Sequence, residues 1–537
     1  MRRLTAPLLG ALLLLPVLGG AIAGTPRDTI VVAKQIDQFI SLDPAEAFEP
    51  GVGEVTGNLY DQLVGYRSAT DPTIVGDLAE SWSVADDGLT FRFTLKPGQA
   101  FASGNPVTAQ DAAWSLQRAV RLNKSPAFIL TQFGFTPDNA ADRIRAVDDR
   151  TLEIRIDQPV APTFFLNTLT AGVASVVDAR LVQSNEAQGD LGNGWLKAHS
   201  AGSGPYAVQR WVPNERVVLD GNPHWQGSGG QGSGGQATGP KTPHLVILHV
   251  PEPASQRLLL EKGDVDYARD LTRDQILALK DASGVAVQSE AGDPLLYLGL
   301  NQSNPNLAKP EVREALKWLV DYKGIEDSLL SGTFTTHQSF LPTGYLGAVD
   351  DAPYRLDVDR ARALLARAGL PNGFSVTIDV RNVAPFADIA QALQASFAKA
   401  GIKLEILPGD GKQTITKYRA RQHDIYIGTW VSDYRDPHSN ADAFAFDKDA
   451  DDANAPKTLA WRNRWQDAGW NRTVTEALRE PDAAKRAALY GRLQREVQAE
   501  GPYVLLFQQT LVAAHRTGVD GLVLQPKTSY AAVVKAE

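Results

Sequence analysis

The sequence predicts an α/β protein with a partly parallel sheet. Residues 374–380 alternate apolar and polar side chains, which is typical of a half-buried strand. Apolar residues then recur at every fourth position over 389–397, as on one face of a helix, and alternation resumes over 402–406. Such a strand–helix–strand unit makes its two strands parallel through a right-handed crossover. The 537 residues leave room for two to four domains of about 100–200 residues each.

The first half of the chain contains shorter strands. The apolar run at 30–33 predicts a buried strand. Residues 91–95 and 152–156 alternate after Asp-rich turn signals, which predicts two half-buried strands. Between these two strands, Thr108 and Asp111 have the spacing of a capping box, so we expect a helix to begin there.

The first 23 residues have the pattern of a secretory signal peptide. Two arginines precede an apolar run over 8–18, and residues 21–23 read Ala-Ile-Ala, an A-x-A cleavage site. The apolar run is too short to span a bilayer. We therefore expect cleavage after Ala23, release into a bacterial periplasm, and no stable membrane insertion of the mature chain.

Composition and missing motifs exclude several classes of function. The chain has no cysteine, which excludes disulfides, thiolate metal sites and a cysteine-linked lipid anchor. Its net charge of −9 argues against a protein that grips nucleic acid. Phosphate-loop, metal-helix and nucleophile-elbow motifs are missing, and the eight histidines are dispersed. We therefore predict no enzymatic activity, no metal site and no cofactor. The G-x-G-x-x-G pattern inside the glycine-rich stretch 227–239 is interpreted as a surface loop.

Two charged residues follow predicted strands. Arg381 comes after the strand at 374–380, and Asp433 follows a strand predicted at 424–430. Ligands of parallel sheets bind outside the carboxyl ends of the strands, so both residues can face one cleft and suit a zwitterion. Trp430 offers a stacking face. From spacing alone, the two charged residues can equally be loop residues, helix caps or one salt bridge, and Trp430 a core residue.

Longer motifs around these residues resemble the extracytoplasmic solute-binding proteins of family 5, the oligopeptide- and dipeptide-binding components of ABC importers. The resemblance runs from about residue 30 to residue 530. TWVSDYRDP at 429–437 is similar to the ligand-proximal W-x-x-D-x-x-D-P segment of that family. The other matching blocks are LAESWSVADDGLTFRFTLKPG at 78–98, GSGPY at 202–206, KGDVDYA at 262–268, VREALKWLVDYKGI at 312–325 and RARALLARAGLPNGF at 360–374.

The resemblance implies a two-lobed periplasmic-binding-protein clamp, type II-like and of cluster C, with an extra accessory domain. Such clamps enclose their ligand by hinge closure. Lobe I would be assembled from residues 24–70, 200–298 and 510–537, with the accessory domain at 71–199 and lobe II at 299–509. The implied function is a periplasmic receptor, expected to be a monomer, that captures dipeptides or short peptides and delivers them to an inner-membrane ABC permease.

The resemblance also assigns ligand-binding residues. Asp433 matches the aspartate that holds the α-ammonium of the peptide. Arg381, in R-N-V-A-P, is similar to the arginine that holds the C-terminal carboxylate in dipeptide-specific relatives. The remaining residues expected near the ligand lie in the matching strand, whose main chain pairs with the peptide backbone, and directly after Asp433: Thr429, Trp430, Val431 and Tyr434.

Two alternatives stay open from the sequence. The family includes receptors for other cargo, so the ligand can be an oligosaccharide, an opine or another small organic solute. A third hypothesis is a secreted hydrolase that uses Asp433 and Asp436 as paired carboxylates, but two aspartates three residues apart in a loop are weak evidence for such chemistry.

Overall fold

A computed structural model describes residues 24–49, 51–68, 71–227, 239–449, 457–525 and 527–536. The predicted signal peptide and residues 228–238 of the glycine-rich stretch lie outside the described residues, so the predictions made for them stay predictions. Within the described ranges, no helix combines the length and the apolar character that crossing a membrane requires.

The strands of the described residues fall into one large sheet and three small ones. In chain order they are β1 (Thr29–Lys34), β2 (Val64–Tyr66), β3 (Ile74–Gly76), β4 (Ala79–Val84), β5 (Thr90–Leu95), β6 (Ile144–Ala146), β7 (Thr151–Arg155), β8 (Tyr206–Val212), β9 (Arg216–Gly221), β10 (His244–His249), β11 (Tyr267–Ala268), β12 (Val285–Leu300), β13 (Phe334–Thr336), β14 (Ser375–Arg381), β15 (Lys403–Gly409), β16 (Ile425–Trp430), β17 (Tyr503–Arg516), β18 (Val519–Asp520) and β19 (Val534–Lys535).

Helices cover the faces of these sheets. In chain order they are α1 (Val52–Thr56), α2 (Ala109–Leu122), α3 (Phe128–Thr131), α4 (Ala140–Arg143), α5 (Pro162–Thr168), α6 (Ala179–Ser184), α7 (Asn193–Leu196), α8 (Pro253–Lys262), α9 (Arg273–Leu279), α10 (Pro310–Trp318), α11 (Tyr322–Ile325), α12 (Val358–Arg367), α13 (Phe386–Ala398), α14 (Gly411–Arg419), α15 (Pro437–Ala445), α16 (Leu459–Arg462), α17 (Ala468–Arg479) and α18 (Ala483–Glu500). Short 3₁₀ turns lie at Ser125–Ala127 and Gly172–Ala174, and a π-helical turn lies at Glu326–Leu330.

One mixed sheet of 11 strands runs through the molecule in the order β15-β14-β16-β12-β17-β11-β1-β10-β9-β8, with β13 attached to β17. The two long antiparallel strands β12 and β17 cross its middle and join the two halves. Their register shifts between Ala291 and Leu295, which marks a β-bulge. Because a bulge bends its strand and increases the local twist, we propose this point as the boundary between the two lobes.

The strand–helix–strand unit predicted from the alternation is confirmed. β14 and β15 are parallel and pair from Ser375↔Lys403 to Arg381↔Gly409, and α13 connects them. Gly401 follows the helix with a φ of +80°, a left-handed conformation that ends helices and favours glycine. β16 is also parallel to β14. The carboxyl ends of these three strands therefore lie at one edge of the sheet.

The strands and the helix start predicted in the first half are also confirmed. β1 is largely buried and lies in the large sheet between β10 and β11. β5 and β7 pair inside a separate four-stranded sheet, β4-β5-β7-β6. The helix α2 begins at the predicted capping box, in which the Asp111 N–H donates to Thr108 Oγ1 and the Thr108 N–H donates to the Asp111 carboxylate. Of these elements, β5, β7 and α2 belong to the region proposed as the accessory domain.

A buried ion pair connects the proposed accessory domain to the segment between β1 and α1. Arg118 of α2 is 2% exposed, and its guanidinium donates to both carboxylate oxygens of Asp43, which is completely buried. Asn193 Nδ2 donates to the same carboxylate at 2.7 Å, and Arg118 Nε donates to the Leu191 carbonyl at 2.7 Å. Both charged groups of the pair are thus hydrogen-bonded by protein groups.

Removing one partner of this pair should be strongly destabilising. Asp43→Ala leaves the Arg118 guanidinium buried and uncompensated, so we expect the free energy of unfolding to fall by ~3–5 kcal/mol. The matched control is Asp327→Ala, which removes the solvent-exposed ion pair with Lys323 and should have no measurable effect. Urea denaturation measures both values, and equal losses in the two variants would contradict the account.

Candidate ligand-binding site

The strand β16 has an unused edge beside the candidate residues. Along one edge β16 pairs with β12 over its full length, up to Trp430↔Leu295. Along the other edge it pairs with β14 only at Ile425 and Tyr426. From Gly428 onward, the N–H and C=O groups that face β14 therefore lack a ladder partner among the described strands. An unpaired edge of this kind can accept an extended peptide as an additional strand.

The side chains around this edge have different surroundings. Thr429 is exposed, and Val431 is 50% exposed. Trp430 is half-buried, and its Nε1–H donates to Asn440 Oδ1 at 3.0 Å. Asn440 is completely buried on α15, and its Nδ2 donates to the Phe340 carbonyl at 2.6 Å. The asparagine therefore fixes the indole orientation and leaves part of the ring exposed beside the free edge.

Asp433 carries a carboxylate that has no ion-pair partner among the described residues. Its backbone N–H donates to Ser439 Oγ on α15 at 3.0 Å, which fixes the main chain. Burial raises the pKa of the side chain to about 6. Asp442, further along α15, also has a pKa raised to about 6, first by burial and then by the negative charge of Asp433. Two neighbouring carboxylates that have no ion-pair partner in the described part of the chain make this place favourable for an ammonium group.

Arg381 is the last residue of β14, so it lies, like Asp433, at the carboxyl ends of the parallel strands. Its guanidinium carbon lies 4.2 Å from the centre of the Phe386 ring, a cation–π contact. Arg381 and Asp433 do not form a salt bridge with each other, and neither is the residue that caps α15, since Asp436 has that role. The structure thus places both charges at the carboxyl ends of parallel strands without pairing them.

Asp436 is fully engaged in a buried network. Arg486 donates from Nη1 to Oδ2 at 2.8 Å and from Nη2 to Oδ1 at 2.6 Å. Asn167 Nδ2 donates to Oδ2 at 2.7 Å, and the His438 N–H donates to Oδ1 at 2.9 Å. Burial by itself raises the pKa of Asp436, but the charge of Arg486 and these hydrogen bonds hold it below the ordinary value. Such a carboxylate is structural, and this removes the paired acid that a hydrolase needs.

Asn167 belongs to α5, so the network connects the proposed accessory domain to the proposed lobe II. The Ala161 N–H donates to the Leu478 carbonyl at 2.8 Å across the same boundary. Phe164 packs against Tyr434, with ring centres 5.9 Å apart. Tyr434 is only 8% exposed and packs against Phe164 of the proposed accessory domain. We therefore propose a packing role for Tyr434 instead of a ligand contact.

Two functional positions had no sequence signal of their own. Arg486 lies in the first turn of α18, and Asn167 lies near the end of a seven-residue helix. The Asp-Pro at 436–437 was the available hint, because aspartate before proline is a common helix start. The partners of that aspartate lie 269 and 50 residues away in the chain.

The histidines near the site are structural. His423 and His438 are buried, and burial lowers the pKa of each imidazole to about 4, so both are neutral at pH 7. His423 Nε2 is hydrogen-bonded to Asn463 Oδ1 at 3.0 Å. In the part of the chain that the structure describes, no group of three or more His, Cys, Asp and Glu side chains is arranged to hold a metal ion.

The family model described as "Bacterial extracellular solute-binding proteins, family 5 Middle" matches residues 73–452. The chain belongs to this family. It is accordingly a solute-binding protein of the ABC importer class and not an enzyme. The model's range includes the candidate residues from Arg381 to Asp433.

Individual relatives match this chain over nearly its whole length. The probable D,D-dipeptide-binding periplasmic protein DdpA of Escherichia coli strain K12 is 30% identical over 525 residues, which cover 97% of this chain and 96% of DdpA. The periplasmic binding protein DppA of Helicobacter pylori, solved with the peptide STSA, has a TM-score of 0.72 and 23% identity, and the match covers 95% of this chain and 98% of DppA.

The binding protein AgaA of A. tumefaciens R10, solved with agropinic acid, has a TM-score of 0.68 and 21% identity, and the match covers 92% of this chain and 94% of AgaA. These structures share the fold of this chain. The α/β clamp predicted from the sequence is thereby confirmed.

The two aspartates of the motif should respond in opposite ways to neutralisation. Because the folded-state pKa of Asp433 is raised, its ionised form costs stability above about pH 4. Asp433→Asn should therefore raise the free energy of unfolding at pH 7 by ~1–2 kcal/mol and have little effect at pH 3. Asp436 has a lowered pKa and contributes stability at neutral pH, so Asp436→Asn should lower the free energy of unfolding by ~3 kcal/mol or more at pH 7.

Urea denaturation of both variants and the parent at pH 7 and pH 3 measures these differences. Destabilisation at pH 7 by both substitutions would mean that Asp433, like Asp436, is held by a partner inside the protein.

Proposed function

We propose that this chain captures dipeptides or other short peptides and delivers them to an inner-membrane ABC permease. The signal peptide proposed at 1–23 would place it in the periplasm, where we propose that it acts as a monomer. The observation that carries the proposal is the Asp433 carboxylate, which is half-buried, has no ion-pair partner among the described residues and is located three residues after a free strand edge.

The ammonium group of the peptide is assigned to Asp433. Burial has already removed part of the hydration of this carboxylate, and Asp442 adds negative charge nearby. An incoming ammonium replaces lost hydration with a direct charge-assisted hydrogen bond. A neutral sugar offers no such compensation, which favours an amine-bearing ligand over an oligosaccharide.

The backbone of the peptide is assigned to the free edge at Gly428–Trp430. Main-chain pairing is independent of side-chain identity, so it suits a receptor for many peptide sequences. Thr429 and Val431 are exposed beside this edge, and Trp430, which lies between them in the chain, is half-buried. These three residues are proposed to line the peptide without selecting one side chain.

The C-terminal carboxylate is assigned to Arg381. Two fixed charges at the ends of neighbouring strands select ligand length more strongly than ligand sequence. The 30% identity to DdpA, described as a probable D,D-dipeptide-binding protein, supports a length of two residues and makes D,D-dipeptides part of the test. The same charge pair also suits an opine, which carries an amine and carboxylates, and the likeness to AgaA with agropinic acid keeps that alternative.

A ligand panel distinguishes these possibilities. Thermal-shift measurements should show stabilisation by free L,L- or D,D-dipeptides, since a ligand that binds only the folded state raises its melting temperature. N-acetylated and C-amidated versions of the same dipeptides should be much weaker, because each lacks one charge. Stabilisation by opines or oligosaccharides with no response to any dipeptide would contradict the proposal.

Substitution of Asp433 should abolish dipeptide binding. Asp433→Ala leaves the ligand ammonium unpaired in a desolvated place, so we expect a loss of ~3–5 kcal/mol, which is at least a hundredfold in Kd by isothermal titration calorimetry. The control Asp388→Ala changes an exposed aspartate on α13 and should bind like the parent. Undiminished affinity in Asp433→Ala would remove Asp433 from the site.

Dipeptide affinity should also fall in acid. The Asp433 carboxylate must be ionised to hold an ammonium group, and in the free protein its pKa is raised to about 6. The proton therefore competes with the ligand, and Kd should increase about tenfold from pH 7 to pH 5. A Kd that is constant over this range would show that the ammonium binds elsewhere.

A further inference from the structure

The proposed lobe II exposes two large apolar side chains, and both are close in the chain to the charges assigned to the peptide. Among the described residues of this lobe, Val383 is 54% exposed and Val431 is 50% exposed. Val383 follows Arg381 by two residues, and Val431 precedes Asp433 by two residues. Val431 is already proposed to line the peptide, whereas Val383 has no such assignment. A single exposed valine is ordinary on a protein surface, so the position of Val383, and not its exposure alone, carries the argument.

The strand register locates the segment with Val383 on the side of β16 that has the free edge. β14 and β16 are parallel, and their last paired residues are Asp379 and Tyr426. Counted along both strands from this pair, Arg381 is level with Gly428, where the free edge begins. A peptide added along this edge lies on the β14 side of β16. The end of β14 and the turn that contains Val383 therefore border the same space.

Hydrogen bonds fix the main chain that carries the Val383 side chain. The Val383 N–H donates to the Arg381 carbonyl at 2.8 Å, which closes a three-residue turn. The Asn382 N–H donates to the Gly409 carbonyl at 3.0 Å, and the Ala387 N–H donates to the Val383 carbonyl at 3.2 Å at the start of α13. Val383 is thus held close to Arg381, and an apolar contact with its side chain requires no ordering of the main chain.

We propose that Val383 gives the receptor a preference for an apolar side chain on the C-terminal residue of its dipeptide, an inference that rests on the proposed function. Arg381 is assigned to the C-terminal carboxylate, and the last side chain of the ligand branches from the Cα atom next to that carboxylate. An apolar side chain that packs on Val383 removes the apolar surface of both from water. A polar side chain at the same place loses hydration and gains no hydrogen bond from valine.

Calorimetric titration with the dipeptides Ala-Leu and Ala-Asn tests this inference, because their last side chains have similar sizes and differ in polarity. The dipeptides are of the L or the D series, whichever stabilises the protein in the ligand panel. The parent should bind Ala-Leu at least about fivefold more tightly than Ala-Asn. Val383→Thr keeps the shape of valine and adds a hydroxyl, so this ratio of affinities should fall at least about threefold. The ratio for the reversed dipeptides Leu-Ala and Asn-Ala should not change, because their variable side chain is at the ammonium end.

The matched control is Val147→Thr. Val147 lies in the proposed accessory domain and is 53% exposed, so this substitution should leave the preference of the parent unchanged. If the parent binds no dipeptide, the proposed function fails and this inference fails with it. If dipeptides bind but Ala-Leu and Ala-Asn have equal affinities, or if the preference survives Val383→Thr, the inference alone is overturned. A change confined to Leu-Ala and Asn-Ala would also overturn it, because Val383 would then contact the first residue of the ligand.

Discussion

The buried ion pair between Asp436 and Arg486 is the constraint on which the candidate site depends. Both side chains are completely shielded from solvent, and the guanidinium meets both carboxylate oxygens. Because Asp436 also caps α15, the pair fixes the start of that helix and the loop before it. Asn167 of the proposed accessory domain donates to the same carboxylate. The Asp436 side chain therefore fixes both the loop that carries Asp433 and the contact between the proposed accessory domain and lobe II.

The contrast between Asp433 and Asp436 follows from this constraint. The two carboxylates are three residues apart, yet the pKa of Asp436 is lowered by Arg486 while burial raises that of Asp433 to about 6. A carboxylate held by a partner stabilises the fold, and one left without a partner lowers stability until a ligand supplies the cation.

Local patterns in the sequence were sufficient for much of the fold. Alternation and helical spacing predicted β14, α13 and β15, and the capping box located the start of α2, because short-range geometry determines these features. The parallel order also placed Arg381 and Asp433 at one sheet edge. The contacts of Asn167 and Arg486 and the packing of Tyr434 depend on residues distant in the chain. No spacing rule in a single sequence identifies such contacts.

The central claim is that Asp433 and Arg381 hold the two ends of one short peptide. A crystal structure of the protein with a bound dipeptide tests this most directly. The account predicts the ligand ammonium within about 3 Å of an Asp433 carboxylate oxygen, the ligand carboxylate on Arg381, and ligand main-chain hydrogen bonds to the edge at Gly428–Trp430. A dipeptide bound with its ammonium on another group, or with Asp433 facing only solvent, would contradict it.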